Sequence, residues 1–139
     1  LRFLRSFFDR GAHLWIARLE SDVVGVQWTI VGGFNGFYSM PISKNEIIVC
    51  AVEVFFAFRG RGIWPAMINL VNAYHKKQGF ARSYVKVKLW NKASLRSIGK
   101  TNGRRIGTVR TFSMCSKDIS LWDRTSLGES IEINARREL

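Results

Sequence analysis

The residues best placed to do chemistry are Arg59-Gly60-Arg61-Gly62, inside the stretch Phe58-Arg59-Gly60-Arg61-Gly62-Ile63-Trp64-Pro65. The glycines let the backbone approach a ligand closely, and the arginines bring cations with it. The apolar run Ile47–Phe58 ahead of them has Glu53 as its one charged residue and predicts a strand buried on both faces. Behind them Ile63, Met67, Leu70, Val71 and Tyr74 recur at helical spacing, and Gly79 is the expected stop. Strand, glycine turn and helix in that order form an anion site. The first-turn N–H groups have no partner within the helix, and its dipole favours negative charge there. Pro65 fits that first turn, where its missing N–H is not needed. Glu53 is a candidate general base, because an acid in so apolar a run has a raised pKa if it lacks a partner. Paired with an arginine, it is structural instead.

The anion is not set by the turn alone. The Walker Gly-Lys-Ser/Thr ending is absent, and the third glycine of a dinucleotide fingerprint would fall at Pro65. An Arg-Gly-Arg-Gly turn also serves in RNA binding or as a solvated basic loop. Downstream, Arg82–Trp90 alternates, with Val85, Val87 and Leu89 on one face, and predicts a strand. Asn91-Lys92-Ala93-Ser94 follows at once, then Leu95, Ile98 and Lys100. Asn91 is well suited to capping a helix that starts there.

These segments together resemble the GNAT-type N-acetyltransferases. That family's loop for the acyl-coenzyme A pyrophosphate reads Arg/Gln-x-x-Gly-x-Gly/Ala, matched by Arg59, Gly60, Arg61, Gly62 and Ile63, with Trp64 in place of the last small residue. Asn91-x-x-Ser94 matches its next helix opening. Glu46-Ile47-Ile48-Val49-Cys50-Ala51-Val52 is similar to the central strand of the histone acetyltransferase branch, down to the distance from Cys50 to Arg59. The likeness covers roughly Leu14 to Phe112. It implies acetyl-coenzyme A as co-substrate and no metal. It also implies an amine acceptor, small molecule or peptide, attacking directly in a ternary complex. The pantetheine arm would lie in a cleft between Cys50–Val54 and Val85–Leu89, bonded to backbone groups near Val52 and Val54, with an N–H near Val54 as oxyanion donor. Asn91 and Ser94 would lie beside the arm. Glu46 matches the family's general base, alongside Glu53. Gly62-Ile63-Trp64-Pro65 resembles a bacterial subgroup but sets no acceptor, and the likeness leaves room for a homodimer. Two departures stand out. The family's Gly-Phe reads Asn102-Gly103, and the tyrosine that many members use as general acid is Ile98.

At 139 residues and 47 % apolar content, the chain is read as one folded domain, 1–139. No apolar stretch has transmembrane length, and the start lacks a signal-peptide pattern, so the cytoplasm is the expected compartment. Cys50 reads as a small core residue, and its spacing from Cys115 suggests neither zinc nor a disulfide framework. The net charge of +12 suits a ligand with several phosphates. Arg96, Lys100, Arg104, Arg105 and Arg110 are a solvated basic face or, without recognisable base-stacking motifs, a nucleic-acid surface. A coenzyme A-binding protein without turnover is a further reading, which Ile98 favours. Neither His13, ahead of a strand, nor His75, beside Lys76 and Lys77 on a solvated helix face, reads as catalytic.

The elements that must position these residues follow in order. Leu1–Phe8 predicts a short helix, and Leu14–Leu19 and Val23–Val31 a strand pair around Glu20-Ser21-Asp22. Gly32-Gly33 and Asn35-Gly36 punctuate a loop before Phe37–Met40. Arg105–Phe112, Ile119–Trp122 and Ser130–Asn134 close the chain as strands. The expected fold is α/β: a mixed, mostly antiparallel twisted sheet with one splayed parallel pair and flanking helices. The family's usual first strand and helix are missing here, either from the protein or from a fragment of it.

Overall fold

The computed structural model describes residues 5, 7–9, 11–32, 42–114, 117–123 and 133–135. They fall into two compact units, Leu1–Asn102 and Gly103–Leu139. The first unit holds a four-stranded sheet in the order β1 (His13–Leu19), β2 (Asp22–Val31), β3 (Glu46–Val54) and β4 (Arg82–Val85). The first two pairings are antiparallel, and β3 with β4 is parallel. This is the expected α/β class with its one parallel pair.

β2 is covered on both faces. Trp28 and Ile30 join Phe7, Ala12, Ile42 and Ile48 in an apolar cluster on one side. On the other side Gly25, Gln27 and Thr29 are buried. A Cβ on Gly25 would stand 3.5 Å from the Met67 sulfur, which places this face against the helix that carries Met67. The alternating Val24, Val26, Trp28 and Ile30 marked only the first of these faces. Gly32 allows a tight crossing at the end of β2, since a Cβ there would overlap the Ser43 carbonyl and the Ile42 side chain.

β3 differs from its expected double burial. Ile47, Ile48 and Val49 are fully buried, whereas Ala51 and Glu53 are exposed. Ala51 takes a positive φ of 46°, and the register with β2 shifts between Val26 and Trp28. The run then leaves the sheet as a short 3₁₀ turn, Phe56–Phe58, with Phe56 85 % exposed. β4 is likewise shorter than Arg82–Trp90: it ends at Val85, because its register with β3 runs only from Glu46↔Arg82 to Val49↔Val85. The alternation of Tyr84 to Trp90 continues past the point where a partner is present.

Helix α1 spans Ile63–Lys77. Its buried stripe is Trp64, Met67, Ile68, Val71 and His75. Leu70 and Tyr74, read as core-facing, are 69 % and 45 % exposed. The stripe is rotated towards His75, which is 2 % exposed rather than solvated. The Thr29 hydroxyl accepts from the Trp15 indole (2.9 Å) and lies 3.2 Å from His75 Nε2. With Trp15 supplying one proton, the hydroxyl has its own to give, so the imidazole fits as a neutral acceptor. Burial, and then the adjacent His13, holds its pKa below the ordinary histidine value. The helix ends as expected: Gly79 (φ +87°) lets its N–H reach the Lys76 carbonyl (3.1 Å) while the Phe80 N–H reaches that of His75 (3.1 Å), a Schellman closure.

Helix α2, Lys92–Ile98, starts where Asn91 Oδ1 accepts from the Ser94 N–H (3.0 Å). The second unit is an antiparallel sheet of β5 (Thr108–Met114), β6 (Lys117–Asp123) and β7 (Ile133–Ala135). Its first strand begins later than the expected Arg105. Arg5, Phe7 and Phe8 are helical, while Leu1, Leu4, Gly33–Met40, Cys115 and Ser130 lie outside the described residues.

Candidate functional site

Past Val49 and Val85 the parallel pair no longer registers, so β3 continues towards Val54 without β4 beside it. The C-terminal part of β3, the turn that follows it and α2 enclose a cleft of about 330 Å³. Its walls are Val52, Glu53 and Val54 from β3, Phe58 to Gly60 and Gly62 from the turn, Ile63 to Pro65 from α1, and Asn91, Ala93, Ser94, Ser97 and Lys100 around α2. Nearly all the residues expected to bind a ligand therefore meet at one place.

Gly60 and Gly62 have φ of +79° and +76°, and nothing lies within 4 Å of a Cβ built on either. Glycine is required there by the left-handed backbone, not by crowding. Gly62 is the N-cap of α1, with no side-chain cap. Ala66 N–H already bonds Gly62 O (3.1 Å) and Pro65 has no N–H, so the N–H groups of Ile63 and Trp64 are those the helix leaves for an anion. Trp64 is buried, and its indole N–H has no hydrogen-bond partner among the described residues.

Arg59 lines the cleft where the turn begins. Its Nε donates to the Val54 carbonyl (2.9 Å) and its Nη2 to Glu53 Oε1 (2.6 Å). Its guanidinium also stands 5.6 Å from the Phe56 ring centroid. Arg61 stacks over Phe58 at 5.5 Å and does not line the cleft. The premise for Glu53 as a partnerless buried acid is not met, since its side chain is 53 % exposed and ion-paired.

Glu46 lies at the other end of β3, outside the cleft wall, with its side chain 8 % exposed. Ser43 N–H donates to its Oε2 (2.9 Å), and Tyr84 Oη (3.1 Å) and Arg82 Nη1 (3.4 Å) donate to its Oε1. Burial first, and Glu46 with it, raises the Tyr84 pKa against the opposing pull of Arg82. Cys50 packs with Tyr84 against the apolar cluster, and burial pushes its thiol up to about 11.

Lys100 is the cleft residue least legible as a ligand group in the sequence. Its place follows from helical spacing, since Ser94, Ser97 and Lys100 succeed one another at three-residue steps. Ile98, at the family's tyrosine position, is not among the lining residues. Among the described residues no three His, Cys, Asp or Glu side chains gather as a metal site, and no helix is long and apolar enough to cross a membrane.

No protein-family model and no curated protein matches the chain. Solved structures do. One is an aminoglycoside acetyltransferase from an uncultured soil metagenomic sample, in complex with sisomicin (TM-score 0.66, 18 % identity, 81 % of this chain and 72 % of that one). A second is aminoglycoside acetyltransferase AAC(6')-Iy with the bisubstrate analogue CoA-S-monomethyl-acetylneamine (0.64, 16 %, 81 % and 78 %). A third is an IAA acetyltransferase from Bacillus cereus (0.60, 14 %, 84 % and 77 %). The fold is that of the GNAT N-acetyltransferases.

Proposed function

We propose that the protein is an acyl-coenzyme A-dependent N-acyltransferase that moves an acetyl group from acetyl-coenzyme A to a primary amine. The carrying observation is one continuous track: the edge of β3 beyond Val49, which pairs with no strand among the described residues, runs into the positive-φ turn at Gly60 and Gly62 and the open first turn of α1. A strand edge accepts a chain of amides as a false neighbouring strand, and a helix N-terminus accepts phosphates. Coenzyme A has both, joined in that order. The solved neighbours with coenzyme A bound or mimicked support the same reading.

With the pyrophosphate at Gly60–Gly62 and Arg59, the thioester lies up-strand, towards Cys50. Glu53 sits at the phosphate end, already engaged by the residue proposed to hold the pyrophosphate. Glu46 is seven residues up-strand, at most about 23 Å away, and is the better base of the two. Val54 is at the phosphate end too, so the oxyanion donors within reach of this reading are the open-edge amides nearer Cys50, not the N–H near Val54. Direct attack in a ternary complex is favoured over an acyl-cysteine, because a Cys50 thiol with a pKa near 11 is protonated at neutral pH and a poor nucleophile. Residues 1–139 act as one catalytic protein in this reading, on a small-molecule or peptide amine, in the cytoplasm.

Ile98 favours a second reading, a coenzyme A-binding protein without turnover. One experiment separates these. Thermal shift with acetyl-coenzyme A, coenzyme A and an oligonucleotide is followed by thiol release across an amine panel. Stabilisation by both coenzymes with thiol release is expected. Stabilisation without release selects the second reading, and stabilisation by the oligonucleotide alone overturns both.

A further inference from the structure

Glu53 is the last acid before a long basic stretch. From Val54 to Asn102 there is no Asp or Glu, against ten of the chain's 22 lysines and arginines. That stretch supplies the turn, α1, β4 and α2, and all ten cations are exposed. The carboxylates on the cleft strand are already engaged, Glu53 by Arg59 at 2.6 Å and Glu46 by Arg82 at 3.4 Å. Among the described residues, Glu53 is also the one acid in the cleft wall. Beside Asn91, at the edge of the cleft, stand Lys88 and Lys92 with Trp90 between them, 76 % exposed.

A polyamine approaching this surface meets like charge and no unengaged carboxylate in the cleft wall. An anion meets a field of one sign, which raises its local concentration and its rate of encounter. We infer that the acceptor amine is carried on a small molecule of net negative charge, such as a phosphorylated amino sugar, and that Lys88 and Lys92 help to draw it to the cleft. This rests on the acyltransferase reading and narrows its substrate class.

The test is a matched pair: one amino sugar with and without a phosphate ester, plus the polyamine neamine. Thiol release is measured with each, and so is the dissociation constant on the coenzyme A-loaded protein. Coenzyme A binding is measured separately by calorimetry, so its loss counts against the acyltransferase reading and not against this inference. At low salt the phosphorylated sugar is expected to exceed its neutral twin by about tenfold or more in kcat/KM or affinity, with neamine lowest. The ratio should shrink towards one as the screening length falls from about 30 Å at 0.01 M salt to about 8 Å at 0.15 M. Lys88→Glu and Lys92→Glu are expected to lower that ratio severalfold. A glutamate suits the first turn of α2, so Lys92→Glu should fold. Because the ratio is taken within one protein, changes in folding or coenzyme affinity cancel. A ratio of one, a preference for the neutral sugar or neamine, or no binding of any of the three overturns the inference.

Discussion

Arg59 touches three groups at once: the Val54 carbonyl, the Glu53 carboxylate and the Phe56 ring. These contacts hold the guanidinium in place before any ligand arrives, and they are exposed enough to matter little for stability. Arg59→Ala is therefore expected to weaken coenzyme A binding by about 1.5–3 kcal/mol, the scale of a charged hydrogen bond. Its melting temperature should stay close to wild type. Calorimetry and a thermal melt check the two halves, and unchanged affinity would remove Arg59 from the phosphate site. Glu46 is the opposite kind of residue, buried and accepting from three donors. Glu46→Gln keeps the volume and removes the charge. Turnover should fall by about 10²–10⁴-fold and the rise of rate with pH should flatten, with coenzyme affinity retained. A full pH–rate profile in the variant would show that the amine loses its proton elsewhere.

At the scale of elements, α2 is short, so its start depends on its cap. The Asn91 side chain satisfies the Ser94 N–H, and both residues line the cleft. Asn91→Ala is expected to destabilise the fold by about 0.5–2 kcal/mol and to weaken coenzyme A binding. Asn91→Asp should restore most of the stability, because aspartate caps equally well. Urea unfolding of the three proteins decides it, and an alanine variant as stable as wild type would mean that packing alone holds α2. The splay of β3 from β4 is also a property of elements. Just past the last β3–β4 pair, Val49↔Val85, Ala51 has positive φ and the register of β3 with β2 shifts.

At the scale of the whole molecule, stability should depend on pH through His75. Its pKa is lowered in the fold, by burial and then by His13. Below the unfolded value of about 6.5, the unfolded chain takes up a proton that the folded protein refuses. Stability fully present above that pH is lost as pH falls towards the folded pKa. The melting temperature should drop between pH 7 and 5, and His75→Gln should flatten the drop; an equal slope in both proteins would place the acid sensitivity elsewhere. The net charge of +12 acts at the same scale. Association with coenzyme A, followed by stopped flow, should slow as salt is added while dissociation changes less. A rate independent of salt would mean that the charge plays no part in capture.

Local chemistry alone determined much of this protein. The Gly60–Gly62 turn, the start of α1, its stop at Gly79 and the Asn91 cap were legible, because each depends on backbone preferences of a few adjacent residues. The parallel pair was legible from strand, helix and strand in sequence. The tertiary structure decided which groups have partners. Glu53 is engaged because the turn folds Arg59 back onto it, and His75 is buried because α1 rotates that face onto Thr29. The β4 alternation outlasts its strand because pairing needs a neighbour, and the register with β3 ends at Val85. Periodicity states which residues share a face. Burial, ion pairing and the end of a strand depend on what the rest of the chain brings against that face.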